Sequence, residues 1–251
     1  MPTLFRHPKA LAALLLGGAL LLGTARAEAT PITINGTDFP VNATSATLGG
    51  FAWTIQPSGQ TFQRKTLGSP SYTGVGISGG RTNDEIDIGE VLTGTSTAGA
   101  YFVRSLRLGM LYDGPEFGDV NEIARITING TTQFTLTATG ATTATWTGAG
   151  TVTSLSGATN NGAAVWELGG IFGPFATAGG PTAITSIAFT ALTGTCGAAG
   201  GSCNNQSDFT LVQLVVERAP GGDGQAIPVP GALALLGAGL LALGAVARRR
   251  A

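Results

Sequence analysis

The stretch Ala124–Ala138, ARITINGTTQFTLTA, contains two short runs in which apolar and polar residues alternate. Alternation with a period of two places the apolar side chains on one face of a β-strand. Between the runs, Asn129-Gly130 supplies residues that accept the positive φ angles of a type I′ turn. The stretch therefore predicts a β-hairpin with one buried face.

Further segments of this kind recur along the chain, separated by clusters of Gly, Ser, Asn and Thr. We predict additional strands at Phe51–Ile55, Tyr72–Ile77, Tyr101–Leu111, Ala163–Leu168, Ile184–Ala191 and Phe209–Glu217. No long stretch between Glu28 and Ala226 has the helical period, and threonine is common at outward strand positions. The pattern predicts an all-β domain over residues 28–218, built as an antiparallel β-sandwich of the jelly-roll kind.

The composition is apolar and unevenly charged. The chain has 251 residues, of which 40 are glycine, and a mean hydropathy of +0.28, which is too apolar for a disordered chain. The formal net charge of -1 hides two basic ends, which hold Arg6, Lys9, Arg26, Arg248, Arg249 and Arg250. All 14 acidic residues lie between these ends with only 7 basic ones, so the central body carries a charge of −7. Such a body is a poor partner for nucleic acid.

The N-terminus has the order of parts of a secretory signal peptide, residues 1–27. Arg6 and Lys9 precede the apolar run Ala10–Gly23, and Ala25-Arg26-Ala27 forms a small-x-small cleavage signal for signal peptidase. A short buried helix is the alternative. We expect an exported chain that begins near Glu28 and has lost its only histidine, His7.

The C-terminus has the features of a membrane-directed segment. A Gly-rich linker over residues 219–226 leads to Pro228-Val229-Pro230, then to the uncharged apolar run Gly231–Ala247 and to the basic tail of Arg248, Arg249 and Arg250. As a helix, residues 231–247 would be about 26 Å long, the short limit for a transmembrane helix. The arginines would stay cytoplasmic and leave the body outside. A buried core helix is the alternative.

The order of proline motif, apolar helix and basic cluster in residues 227–251 resembles the sorting signal of the PEP-CTERM family of bacterial proteins. In that family the motif is usually Pro-Glu-Pro, and Val229 stands here in place of the glutamate. The run Gly74-Val75-Gly76-Ile77 followed by Asn83–Asp87 and Glu90–Thr93 also resembles a stretch in these proteins. The resemblance implies a Gram-negative surface or secreted protein, cut near the motif by an exosortase-like transpeptidase and associated with exopolysaccharide or biofilm.

Few catalytic arrangements are available to the exported body. Without His7 no Ser-His-Asp or Cys-His site can form, and Lys65 is the only lysine left. The glycines show no phosphate-binding loop between a strand and a helix. Trp53, Trp146 and Trp166 lie within strand patterns, which favours core packing over a carbohydrate-stacking platform. We expect a non-catalytic protein.

Acidic residues form two groups. Asp84, Glu85, Asp87 and Glu90 are close in sequence, and alternation places Glu85 and Asp87 on one strand face. Oxygen ligands at this density favour Ca²⁺, although the spacing is not that of an EF-hand. The second group surrounds a turn and consists of Asp113, Glu116, Asp119 and Glu122.

Three alternatives stay open for these acids. One is a solvated acidic edge balanced by Arg81, Arg104, Arg107 and Arg125. The others are a Ca²⁺-assisted carbohydrate-binding module and a glycoside hydrolase with two carboxylates about 5–10 Å apart.

The two cysteines, Cys196 and Cys203, lie in one Gly-rich loop. In an exported chain such close cysteines are expected to form a disulfide, which would stabilise the fold by about 2–3 kcal/mol. Their spacing, with no histidine nearby, is poor for zinc.

Overall fold

The computed structural model describes residues 29–68, 71–114, 119–157, 164–196 and 206–220. These residues form a 3₁₀ turn, Gly36–Asp38, and sixteen strands. The strands are β1 (Ile32–Asn35), β2 (Ser45–Leu48), β3 (Phe51–Gln56), β4 (Phe62–Leu67), β5 (Tyr72–Ile77), β6 (Ile86–Asp87), β7 (Val91–Ser96), β8 (Tyr101–Gly109), β9 (Asn121–Ile128), β10 (Thr132–Gly140), β11 (Thr143–Trp146), β12 (Thr151–Ser154), β13 (Trp166–Gly169), β14 (Ala183–Ile184), β15 (Ser186–Thr195) and β16 (Asp208–Arg218).

The strands form two sheets. The seven-stranded sheet has the order β11-β10-β9-β15-β7-β3-β2. The nine-stranded sheet has the path β12-β13-β8-β16-β5-β4, with β1 and β6 also paired to β16 and β14 paired to β8. Every strand pair is antiparallel, so the predicted all-β antiparallel sandwich is confirmed.

One hydrophobic core receives side chains from both sheets. Phe51 of the seven-stranded sheet packs on Tyr101 of the nine-stranded sheet, with ring centroids 4.9 Å apart. Trp53 and Trp166 are fully buried, which confirms their assignment to the core. Trp146 is half-buried and stacks on Phe134 at the end of the seven-stranded sheet. Among the described residues, this core extends from Ile34 to Val216 and lies within one compact unit, residues 29–230.

The predicted hairpin is present. β9 and β10 pair in register from Ile128 opposite Thr132 to Ile123 opposite Thr137. Asn129 and Gly130 have φ angles of 52° and 72° at the turn between them, as the type I′ signal requires. The Asn129 side chain also accepts a hydrogen bond from the Thr185 backbone at 2.8 Å, which ties the turn to the loop before β15.

The other strand predictions are confirmed to different degrees. β5 has the predicted bounds, whereas the segment predicted at Ala163–Leu168 begins only at Trp166. The segment predicted at Ile184–Ala191 is divided at Thr185 into β14 and β15. Sequence reasoning missed β1, β2, β4, β6, β7, β11 and β12, most of which are short strands rich in Thr, Ser or Gly.

The predicted terminal segments lie outside the described residues. These are the signal peptide with Ala25 and Ala27, most of the linker, and the sorting signal with Pro228, Val229, Pro230, Arg248, Arg249 and Arg250. Within the part of the chain that the structure describes, no helix is long and apolar enough to cross a membrane. Cys203 is also outside it, so the Cys196–Cys203 disulfide stays a prediction.

Candidate functional site

Buried carboxylates from distant parts of the chain meet where β6 pairs with β16. The register places Asp87 opposite Asp208 and Ile86 opposite Phe209. Glu85, Asp87 and Asp208 are 2%, 0% and 4% exposed, respectively. Glu90, Asp119 and Glu122 are buried as well. The solvated acidic edge considered from the sequence is therefore wrong for this group.

Glycines of β5 make room for the acidic segment. A Cβ on Gly76 would lie 2.2 Å from the carbonyl oxygen of Asp84, and a Cβ on Gly74 would lie 2.1 Å from Oγ1 of Thr210. Behind Gly76 the backbone of Ile77 donates a hydrogen bond to the carbonyl of Glu85 at 3.0 Å. The glycines of β5 are therefore needed for the acidic segment to pack on this strand, because only glycine permits such a close backbone approach.

Asp87 organises the loop that precedes it. Its Oδ2 accepts hydrogen bonds from the backbone N–H groups of Arg81 at 2.5 Å and Thr82 at 3.0 Å. Gly80 lies so close that a Cβ there would be 1.9 Å from the same oxygen. From the other side, the Gln206 amide donates to Oδ1 at 3.3 Å. The Asp87 carboxylate thus satisfies backbone donors of residues 81 and 82.

Lys65 of β4 is the cation that contacts the first two acids. Its Nζ lies 2.9 Å from Oε2 of Glu85 and 3.2 Å from Oδ1 of Asp84. Burial raises the pKa of Glu85 even though the hydrogen bond from Lys65 opposes this effect. Burial alone would lower the pKa of Lys65, but the hydrogen bond and charge of Glu85 outweigh it and raise that pKa.

Glu90 closes a short loop onto Asp87. Its Oε2 accepts a hydrogen bond from the Asp87 N–H at 3.0 Å, and its own N–H donates to the Asp87 carbonyl at 3.0 Å. The pKa of Glu90 is raised to about 7, mainly by burial. The backbone hydrogen bond from Asp87 opposes this shift, and the charge of Asp87 adds to it. The predicted ligands Asp87 and Glu90 are therefore engaged in holding the chain together.

Glu122 at the start of β9 extends the cluster. Its two carboxylate oxygens accept hydrogen bonds from the backbone N–H groups of Tyr112 at 2.5 Å and Asp208 at 3.2 Å. Burial, and next the charge of Asp208, raises the pKa of Glu122 well above its usual range. Glu122 and Asp119 belong to the second sequence group, and the fold brings these two acids to the first group.

Asp208 is the common neighbour of these acids. Its pKa is raised to about 9. Burial is the largest cause, and the charges of Glu85, Asp87 and Asp119 raise the pKa further. Its Oδ2 is buried without a hydrogen-bond partner. At neutral pH this carboxyl group therefore holds a proton, because an ionised Asp208 would lie unpaired among like charges.

The four predicted calcium ligands do not face one common point. Asp84 is half-exposed on the Lys65 side, and Glu85 is paired with the same lysine. Among the described residues, no group of three or more His, Cys, Asp or Glu side chains is arranged to hold a metal ion. Calcium binding stays a prediction.

The arginines proposed to balance the acidic edge have other partners in two cases. Arg104 pairs with Glu217 at 2.7 Å, and Arg107 pairs with Glu167 at 2.5 Å, both on strands of the nine-stranded sheet.

The surface pocket beside Trp166, lined in part by Leu111 and Asp113, has space for about one water molecule. That pocket is too small for a sugar ring.

Sequence reasoning identified Glu85, Asp87 and Glu90 but missed the role of Asp208. A signal was present, since Asp208 is the one acid between Glu167 and Glu217 and directly precedes an apolar strand.

Comparison of the chain with models of protein families, with curated proteins and with solved structures finds no match.

Proposed function

We propose that this chain is an exported, non-catalytic surface protein, sorted through its C-terminal segment and acting in contacts with the extracellular matrix. The observation that carries the proposal is the order of three elements that follow the β-sandwich body: Pro228–Pro230, the apolar run 231–247 and the tail Arg248–Arg250. The apolar run would hold the protein in the inner membrane as a helix, and an exosortase-like transpeptidase would release it.

The buried carboxylates support the non-catalytic part of this proposal. A carboxylate that acts on a substrate has to reach it, whereas Glu85, Asp87, Glu90 and Glu122 are buried and bind the chain's own lysine or backbone groups. These acids therefore act as structural groups in our proposal. A mature protein that hydrolyses a polysaccharide or peptide panel with ordinary turnover would contradict it.

Fractionation with mass spectrometry of both chain ends tests the sorting route. In a Gram-negative host that carries an exosortase, we expect an N-terminus at Glu28 and a C-terminus close to Pro230. A double variant, Pro228→Ala with Pro230→Ala, should keep the Arg248–Arg250 tail. Asp223→Asn, in the linker, is the matched control and should be processed normally. An intact tail on the wild-type protein in the inner membrane would overturn the proposal.

The alternative function, a Ca²⁺-assisted carbohydrate-binding module with Asp84, Glu85, Asp87 and Glu90 as ligands, has its own test. Calorimetry with Ca²⁺ and with neutral and acidic polysaccharides should give heat in both titrations if this alternative holds. Exopolysaccharide is the proposed matrix partner, and its binding should appear as heat in the polysaccharide titrations. The jelly-roll kind of sandwich is tested by an experimental structure that includes the loops between the strands.

A further inference from the structure

One part of the body contains almost no charged residues. Residues 126–207 contain a single charged side chain, Glu167, although the body as a whole carries a charge of −7. Glu167 is itself neutralised, because Arg107 lies 2.5 Å from its carboxylate. The charges of the body are therefore concentrated in the remaining strands and loops.

This uncharged part of the chain includes one edge strand of each sheet. β11 ends the seven-stranded sheet, β12 ends the nine-stranded sheet, and the two strands contact each other. Among the strands that the structure describes, each pairs with a single neighbour, and neither contains a charged residue or proline. The nine-stranded sheet's other edge strand, β4, contains Arg64 and Lys65. Proteins usually protect sheet edges with such charges, because an unprotected edge can pair with another strand. The seven-stranded sheet's other edge strand, β2, is uncharged as well, so the exposed turn Gly170–Gly173 is what distinguishes the edge at β11 and β12.

An exposed apolar turn lies beside these strands. Ile171 is 90% exposed and Phe172 is 52% exposed, in a turn closed by a hydrogen bond from the Gly173 N–H to the Gly170 carbonyl at 3.1 Å. The Trp146 indole of β11 donates to the carbonyl of Pro174 at 3.2 Å, which holds the turn next to β11.

Close packing fixes the base of this turn. A Cβ on Gly173 would lie 1.9 Å from the Val103 carbonyl oxygen of β8. A Cβ on Gly150, in the connection between β11 and β12, would lie 2.0 Å from the carbonyl oxygen of Gly169. The two apolar side chains are thus presented from a well-packed base. We call β11, β12 and the turn Gly170–Gly173 the uncharged edge.

We propose that the uncharged edge is an interface between two copies of this chain. Two bodies of charge −7 repel each other, and this edge is where they can meet with their charges turned away. Burial of Ile171 and Phe172 would favour contact. A stable interface needs about 800 Å² from each partner, more than two side chains supply, so the terminal strands have to contribute. Strand pairing or packing across a two-fold axis would provide that area.

Analytical ultracentrifugation of residues 29–230 tests the interface. The core residues that the structure describes all lie in this segment, so we expect it to fold without the terminal segments. Over roughly a hundredfold range of concentration we expect a monomer–dimer equilibrium that is strengthened by salt. Thr145→Lys on β11 and Thr153→Lys on β12 should each raise the dissociation constant at least about tenfold, because they place like charges at the contact.

The chain offers a matched control for the charged variants. Thr47 is the third residue of β2, at the opposite end of the same sheet, and β2 and β11 share the same alternation of exposed and half-buried residues. Thr47→Lys should leave the dissociation constant unchanged. An equal loss of association in Thr47→Lys and Thr145→Lys would overturn the proposal, as would a monomeric wild type.

A second pair of variants keeps the test independent of folding. Ile171→Ser and Phe172→Ser remove exposed apolar groups and should weaken association while melting temperatures stay at the wild-type value. Unchanged association in both variants contradicts the proposal. A wild-type body that stays monomeric but sediments with a neutral glucan or with phosphatidylcholine vesicles would assign the edge to that partner instead.

Discussion

Asp87 and Asp208 lie directly opposite each other in the β6–β16 ladder, and both are buried. Opposite residues of an antiparallel pair have Cβ atoms about 5 Å apart, so two ionised carboxylates would repel strongly here. Asp87 is stabilised as an acceptor by the N–H groups of Arg81 and Thr82. The proton therefore belongs on Asp208, whose Oδ2 has no other partner.

Replacing Asp208 by asparagine should flatten the dependence of stability on pH. The pKa of Asp208 rises to about 9 in the folded protein from an ordinary value of about 3.9 when unfolded. Because the folded-state pKa is raised, the contribution of Asp208 to stability is fully present below pH 4 and is lost as the pH rises toward 9. Asp208→Asn keeps the neutral form at every pH, so it should gain about 1–3 kcal/mol over wild type at pH 9.

Urea unfolding between pH 5 and pH 9 measures this difference. Glu167→Gln is the control, because Glu167 lies outside the cluster, paired with Arg107, and should leave the slope unchanged. A wild-type free energy of unfolding that is constant over this range would contradict the proton assignment. Glu90, with a pKa of about 7, should contribute a smaller loss between pH 4.5 and pH 7 by the same reasoning.

Removing the lysine of the cluster should destabilise the fold. Lys65→Met leaves the buried carboxylate of Glu85 without its hydrogen bond, and we expect a loss of about 1–3 kcal/mol. The double variant with Glu85→Gln should recover part of this loss, because the uncompensated charge is then gone. Denaturant unfolding at pH 7 measures both.

The matched control for this prediction is Arg107→Met. Arg107 and Glu167 form an ion pair in which both side chains are about one third exposed, so its loss should cost less than about 1 kcal/mol. Equal costs for Lys65→Met and Arg107→Met would show that burial of Glu85 is not decisive.

Gly80, whose backbone packs against the Asp87 carboxylate, should tolerate no side chain. Gly80 has a φ angle of 27°, and a Cβ there would meet Oδ2 of Asp87 at 1.9 Å. We expect Gly80→Ala to lower the free energy of unfolding by about 2–4 kcal/mol, because the loop has to leave the carboxylate. Gly59→Ala controls for backbone strain alone, since Gly59 also has a positive φ but no atom within 4 Å of the added Cβ. Its cost should stay near about 1 kcal/mol.

The sequence predicted the sandwich better than the acidic site, for a physical reason. The hairpin around Asn129-Gly130 is specified by local alternation and a local turn, both of which can be recognised without a partner. The pairing of Asp87 with Asp208 depends instead on register between strands more than a hundred residues apart. Alternation placed Glu85 and Asp87 on one strand face and Ile86 and Ile88 on the other, whereas Glu85, Ile86 and Asp87 are all buried and Ile88 is exposed. β6 ends after Asp87, so the alternation does not extend to Ile88.

The predicted Cys196–Cys203 disulfide should stabilise the exported body. In the chain-entropy model, closing so short a loop contributes about 2–3 kcal/mol, mainly by restricting the unfolded chain. The double variant Cys196→Ser with Cys203→Ser should therefore lose that amount in urea unfolding under oxidising conditions. Wild-type protein treated with a reductant should match the variant, and the variant itself should not respond to the reductant. Alkylation of both cysteines in the untreated, unfolded wild-type protein would show that the thiols are free and that the prediction is wrong.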